Sequence, residues 1–356
     1  AGLDFGAGGG TATPLAADCQ GSCTAQEGST VVTDTAGNLL FWTNGQTIWM
    51  ADGSVMPNSD DLFANFSTTQ ATAFFPLNRE RSKYAVITNT AHALYENEGE
   101  LYYSVIDMSL NDGKGAVTIK NQPLWAGQSD YSSEALTAAP KTDGSGYWVI
   151  TYRPGSTNLI VFEFTGEVLA VTPHEYAAGT TITKRNAGTI GFGTLNFNKM
   201  YNQLVMMAGA HCITGQSCTS ERGVLRIADF DTTTGVVTNR FAWMHNSTNM
   251  SGYSASYSPG ENYIYSTALY PERLYRYKIA GASTSTDIKN SEEYIANLDT
   301  TNSGGDTGGG QVLRAPNNKM YVANFGGSSI SVINTPDATT TGGMTQVQRQ
   351  NAIGWV

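Results

Sequence analysis

Charge is scarce in this chain of 356 residues: Asp, Glu, Lys and Arg together make up 14%, against about a quarter in an average soluble protein. The charge present leans acidic, twenty Lys plus Arg against thirty Asp plus Glu, a net −10 with no long acidic run. That balance argues against nucleic acid and anionic membrane surfaces as partners. Long apolar runs are missing too; nothing approaches the roughly eighteen consecutive apolar residues of a membrane-inserted helix. Helical periodicity is nearly absent, with no i, i+3, i+4, i+7 run longer than about two turns. Cysteines and histidines number four each, and no GxSxG elbow or HExxH pair accompanies them, which leaves nucleophilic and zinc hydrolysis without support. The opening "AGLDFGAGGG" lacks the basic and apolar regions of a signal peptide, and a chain starting at Ala1 is expected to be a mature, secreted protein.

What fills the chain instead is strand and turn. Gly (39) and Tyr (18) are abundant, and β-branched and aromatic segments such as "YAVITN", "GYWVITYRPGSTNLIVFEF" and "NYIYSTALYPERLYRYKIA" alternate with Gly, Asn, Asp and Pro clusters. Laid under one another they repeat. The clearest alignment is a turn followed by a strand: "TDTAGNLLFWT", "FPLNRERSKYAVIT", "APKTDGSGYWVIT", "NFNKMYNQLVMMA", "YSPGENYIYST" and "RAPNNKMYVAN". Repeats therefore begin near residues 27, 69, 133, 193, 253 and 310. The spacing holds four strands per repeat and predicts an all-β fold, a β-propeller of six four-stranded blades in a single domain over 1–356. Residues 1–26 are expected to close the ring, "GLDF" pairing with C-terminal strands such as "TQVQRQNAIGWV". A seventh blade built from the termini and residues 280–309 is the alternative architecture, and a pair of β-sandwiches is disfavoured because no linker divides the chain.

Several stretches resemble a known group of proteins. "AGLDFGAGG", "DTAGNLLFWTNGQTIW" with the following "VMPN", "STTQATAFFP", "LYYSVIDMSLNDGKGAVTIKN" and "ADFDTTTGVVTN" together are similar to the propeller-like N-terminal modules of secreted Bacteroidota surface proteins. In that group such modules precede PKD-type repeats and a gliding-motility or type IX secretion sorting domain. The sequence runs to "NAIGWV" with neither, so the resemblance implies a processed fragment or another export route. It implies a location and an architecture, and no catalytic residues.

The cysteines fall in two close pairs, Cys19 with Cys23 and Cys212 with Cys218. In a secreted protein they are expected as disulfides, the two local pairings being simplest, with zinc or free thiols as alternatives. His211 then reads as a loop neighbour, and His92, His174 and His245 are isolated. Propellers assemble sites from several blades, and the start of each first strand faces the channel; those positions are Gln70, Glu134, Gly193, Tyr253 and Gln311. Gln70, Glu134, Tyr253 and Gln311 are the ligand-binding candidates, with Glu134 the one carboxylate among them, better suited to hold water or a cation than to act as a general base. No cofactor is required; "DTAGN", "NSDD" and "FDTTTG" offer oxygen ligands for a structural Ca²⁺, although Asp and Asn also suit tight turns for backbone reasons. The glycine-rich 300–311 segment lacks the Lys-Ser/Thr pair of a phosphate loop.

Together these features predict a secreted or cell-surface binding or adhesion module that recognises a glycan or a protein through one face of the propeller. A subunit of a surface assembly, with self-association, is one rival. An extracellular polysaccharide hydrolase or lyase using Glu134 is the other.

Overall fold

A computed structural model describes residues 3–4, 13–14, 27–90, 99–125, 132–153, 158–166, 168–177, 191–209, 223–246, 250–270, 272–298, 308–325, 329–339 and 347–351. The chain is a six-bladed β-propeller: six antiparallel sheets follow one another along the sequence, each built from consecutive strands. First strands begin at Thr30, Thr72, Thr137, Gly193, Ser251 and Gly308, close to the repeat starts read from the sequence. Among the described residues the 280–309 segment forms no seventh blade; it carries the fourth strand of the fifth, Glu293–Asn297, and the short helix Ser285–Asn290. That helix starts at Thr284, whose hydroxyl accepts from the Asp287 amide while Asp287 reaches back to the Thr284 amide, a reciprocal cap. No helix among the described residues is long and apolar enough to cross a membrane.

By compactness the blades form two units. One comprises Ala16–Thr183 and Phe230–Val237. Its first blade has three strands, Thr30–Thr33, Leu39–Thr43 and Ile48–Met50. Backbone bonds from Met50 to Ser54 and from Met56 to Ile48, both 2.9 Å, add the stub of a fourth. The second blade runs Thr72–Pro76, Lys83–Asn89, Leu101–Asp107 and Ala116–Pro123, and the third Thr137–Pro140, Gly146–Tyr152, Leu159–Thr165 and Val168–Tyr176. Lys83–Asn89 shows why these strands read as continuous apolar runs. Tyr84 and Val86 pack with Phe41, Ile48 and Ile106, while Ala85 and Ile87 pack on the opposite face with Phe75, Leu136 and Phe162. A sheet covered on both faces needs apolar side chains at every position, not at alternate ones.

The other unit comprises Ala1–Leu15, Lys184–Asp229 and Thr238–Val356. Tyr263 and Tyr265 on one face of the fifth blade pack with Val312, Met320 and Ile333 of the sixth, and Ile264 between them packs with Val205, Leu225 and Trp243 of the fourth. The termini depart from the expected closure. Leu3–Asp4 pairs with Thr13–Pro14, and Val347–Asn351 pairs with Ser329–Ile333 as the last strand of the sixth blade. The ladder expected between N- and C-terminal strands is replaced, among the described residues, by local pairing, which closes a short loop at lower entropic cost.

The turn between first and second strands repeats in all six blades. Its fourth residue donates an amide back to the carbonyl of its first: Gly37 to Asp34, Arg81 to Asn78, Gly144 to Lys141, Tyr201 to Asn198, Glu261 to Ser258 and Asn318 to Ala315, at 2.9–3.3 Å. Each of those fourth residues has a positive φ, from 52° at Arg81 to 90° at Gly37. Where the first residue is Asp, Asn or Ser, its side-chain oxygen accepts a further turn amide, as Asn78 Oδ1 does from Ser82 and Asn198 Oδ1 from Asn202, both at 3.0 Å.

Neighbouring turns also clasp. Thr142 of the third blade donates to the Thr232 carbonyl, Trp148 Nε1 donates to the same oxygen at 2.9 Å, and Gly235 lies under the indole, where a Cβ would sit 2.6 Å from the ring. Two glycine substitutions separate the effects. Gly144→Ala meets nothing within 4 Å at φ +69°, so it should cost only the backbone penalty, about 1 kcal/mol in urea denaturation at unchanged m. Gly235→Ala must displace the indole and should cost more, about 2–3 kcal/mol, with a changed near-UV circular dichroism spectrum that Gly144→Ala leaves intact.

Candidate functional site

The segments entering the first strands of the second and third blades bring Gln70 and Glu134 together. Thr68, Thr69, Ser132, Ser133 and Glu134 are all buried. Glu134 Oε2 accepts from the Thr69 amide at 2.8 Å and from its hydroxyl at 2.6 Å. The Gln70 amide donates to the Glu134 carbonyl at 3.2 Å, and Gln70 Oε1 accepts from the Leu136 amide at 3.1 Å. Asn89 Nδ2 donates to the Ser133 carbonyl at 2.7 Å. Both candidate side chains thus tie one blade's inner strand to the next.

A second carboxyl joins them. The Gly28 amide donates to the Thr68 carbonyl at 3.0 Å, and a Cβ at Gly28 would come within 2.4 Å of the Ala71 nitrogen; only glycine permits that approach. It sets Glu27 beside Glu134. Burial, and then the negative charge of Glu134, push the Glu27 carboxyl up to about 9, so at neutral pH Glu27 is a protonated acid next to the buried Glu134. Burial, with the charge of Glu134 second, also raises Tyr152. Sequence reasoning used Glu27 only as the start of the first repeat; its register, shared with Thr69 and Ser133, was the signal that it would meet them.

In the other unit Tyr253 is buried, its ring 6.1 Å from that of Phe192, and Gln311 is half-buried in the first strand of the sixth blade. Gly193 opens the fourth blade at φ +143° with the Met207 carbonyl 2.0 Å from where a Cβ would lie. Cys19, Cys23, Cys212, Cys218, His92 and His211 lie outside the described residues. His174 is exposed on the fourth strand of the third blade. Among the described residues no three His, Cys, Asp or Glu side chains are placed to share a metal ion. The turn carboxylates proposed from sequence accept backbone amides: Asp34 Oδ1 from Ala36 and Asn38, both 2.8 Å, and Asp231 Oδ1 from Thr233 at 2.8 Å.

His245 was isolated in sequence, but the fold surrounds it with chemistry. Its Nε2 lies 3.4 Å from Ser266 Oγ and its Nδ1 2.5 Å from the Tyr277 hydroxyl, which donates at 2.6 Å to Glu292 Oε2. Glu292 also accepts from the Asn246 amide at 2.9 Å. Because Tyr277 gives its one proton to Glu292, Nδ1–H donates to Tyr277. Burial raises Glu292, but bonds from His245, Tyr277 and the Asn246 amide outweigh it and hold the carboxyl below its usual range. Serine, histidine and acid stand in the order of a hydrolase relay, yet Ser266, His245 and Tyr277 are all 0% exposed. A nucleophile sealed this way meets no substrate; the chain of bonds fastens the end of the fourth blade to the fifth.

The exposed counterpart is the loop before the second blade, "SDDLFANF" over 59–66. Leu62 is buried, but Phe63 and Phe66 are 51% and 43% exposed. The loop is bonded along its length. Asn58 Nδ2 donates to the Val117 carbonyl and Asn121 Nδ2 to that of Asp61, both 3.0 Å, while Asn121 Oδ1 accepts from the Phe63 amide at 2.9 Å. The Leu62 and Asn65 amides donate to the Gln46 and Asn89 carbonyls at 3.0 and 3.2 Å. Phe63 meets Tyr102 edge-to-face, centroids 5.0 Å apart at 84°. The Tyr102 hydroxyl donates to Glu100, and burial together with that bond raises it to about 12.

No protein-family model matches the chain, and no curated protein sequence matches it. Solved structures are similar to it at low identity, with TM-scores below 0.5. A putative 6-phosphogluconolactonase from Bacteroides uniformis is 12% identical over 87% of this chain and 77% of its own, TM-score 0.48. The Pseudomonas aeruginosa periplasmic gluconolactonase PpgL is 12% identical over 88% and 81%, TM-score 0.49. The β-propeller domain of Myceliophteria thermophila Cps50 (Swd1) is 10% identical over 85% and 82%, TM-score 0.49.

The carboxyl pair gives a pH signature of definite sign. A group whose folded-state affinity for protons exceeds its unfolded one stabilises the fold at low pH and loses that contribution as pH rises. With Glu27 raised from 4.5 to about 9, the melting temperature of Glu27→Gln minus that of wild type should grow from about pH 5 to about pH 9. A difference that stays flat across that window would place the Glu27 carboxyl in water.

Proposed function

We propose that this protein is a secreted or cell-surface binding module that holds a glycan or protein partner against an aromatic face of the propeller. One observation carries the proposal. The 59–66 loop keeps Phe63 and Phe66 in water while the Ser59, Leu62, Phe63 and Asn65 amides are hydrogen-bonded. A bonded loop loses little further entropy when a partner arrives. The acidic, low-charge composition, the paired cysteines and the resemblance to secreted surface modules support the extracellular location.

The carboxyl pair favours a second reading. Glu27, held protonated, and Glu134 are a neighbouring pair of carboxyl groups, the residue types that glycoside cleavage employs; here the protein would act on polysaccharide. Incubation with polysaccharides, followed by reducing-end and unsaturated-product assays, separates the two. A binding module retains glycan or partner protein on an array and releases no product, and Glu27→Gln leaves retention unchanged. Product release abolished by Glu27→Gln would establish the enzyme instead.

A further inference from the structure

We infer that the corner formed by Phe63 and Tyr102 is a stacking site for neutral pyranose glycans; the inference rests on the binding-module proposal and names its ligand class. Three left-handed residues without glycine, Asn58 (φ 62°), Asp61 (φ 53°) and Asn121 (φ 52°), shape the loop and its support. Such conformations carry an intrinsic penalty, and here side-chain bonds from Asn58 and Asn121 hold them. The same backbone turns Leu62 into the core and leaves the neighbouring Phe63 ring 51% exposed.

The two rings stand nearly perpendicular, at 84°, so they form a corner, not a flat patch. A pyranose has matching surfaces: an apolar C–H face to lie on one ring and a hydroxyl edge to turn toward polar groups. The exposed Glu100 carboxylate, already fixing Tyr102, is acceptor-only and suits sugar O–H donors. Charge narrows the class further. The exposed Asp60 and Asp61 precede Phe63 in the same loop and Glu100 accepts from Tyr102, while Lys120 lies 3.7 Å from Asp60. With a net −10 over the chain, sulfated and uronic-acid glycans are repelled and neutral ones are not. A corner of two rings with an acidic rim is small for a protein interface, whose centre is broad and poor in charge.

The test titrates the full chain by calorimetry with cellohexaose, xylohexaose, chitohexaose and mannohexaose, and with polygalacturonate as the anionic comparison. Wild type should bind at least one neutral oligosaccharide with little dependence on NaCl, and should not bind polygalacturonate. Phe63→Ala should weaken binding about tenfold or more, Phe63→Trp should keep it, and Met200→Ala, an exposed site on the fourth blade, should not alter it. Because Phe63 is exposed, all variants should keep the wild-type melting temperature, which reports folding independently. A neutral glycan bound equally by wild type and Phe63→Ala would overturn the corner and leave the binding-module proposal standing. A protein partner lost in Phe63→Ala, with no hexasaccharide bound, would overturn the ligand class alone. Binding of polygalacturonate in preference to the neutral sugars would overturn the charge argument and the inference with it.

Discussion

Among the described residues adjacent blades share no backbone ladder, so polar groups along their inner strands find partners across the gap through a few isolated backbone bonds and, above all, through side chains. The rest of the structure depends on this stitching. Thr30 and Thr72 hydroxyls lie 2.8 Å apart, Glu134 holds the Thr69 amide and hydroxyl, and Gln70 takes the Leu136 amide. In the other unit Thr194 bonds Ser254 at 3.3 Å and takes the Ala255 amide at 3.0 Å, while Ser254 accepts from Val312 at 3.2 Å. Each bond contributes about 1 kcal/mol, but leaving one unmade in the dry interior costs more. Small hydroxyl residues suit the place because they satisfy two blades without forcing them apart.

The same requirement explains why the most chemical-looking side chains are occupied. Glu134, Gln70, His245, Ser266 and Glu292 each bridge blades or strands. A buried carboxylate or imidazole survives only when hydrogen-bonded, and in a fold of stacked sheets the available partners belong to the next blade. Reactive residue types therefore serve as fasteners, and contact with other molecules falls to groups the blades do not need. Phe63 is the clearest of these, its neighbour Leu62 turned inward and its own ring outward.

The blade repeat was legible because turn and strand recur six times in one register, and each aligned turn closes the same bond. The left-handed fourth position was not legible. It holds Gly only at Gly37 and Gly144, and elsewhere Arg81, Tyr201, Glu261 and Asn318; the surrounding hairpin overrides their backbone preference. The grouping of Gln70 with Glu134 followed from the repeat, whereas Glu27 was passed over because its role depends on the close approach that Gly28 allows. The partners of His245 sit at 266 and 277 on adjacent strands and at 292 just before the next, and no spacing rule reaches across an antiparallel sheet to join them. Phe63 lies in a segment with no strand period at all, so its exposure was set by side-chain anchors 58 residues away at Asn121.

The six equivalent hairpins bear on how the chain folds. Each joins strands a few residues apart through a turn that closes on itself, so its contacts form early and need no distant segment. The clasps come later, as when Asp337 of the sixth blade takes the Ser258 hydroxyl at 2.6 Å and the Gly260 amide at 2.7 Å in the fifth. Emerging in order from a ribosome or an export channel, the chain carries preformed hairpins whose turns wait for the following blade. Until it arrives the newest blade leaves one apolar face in water, and the growing end is where the protein is open to proteases and chaperones.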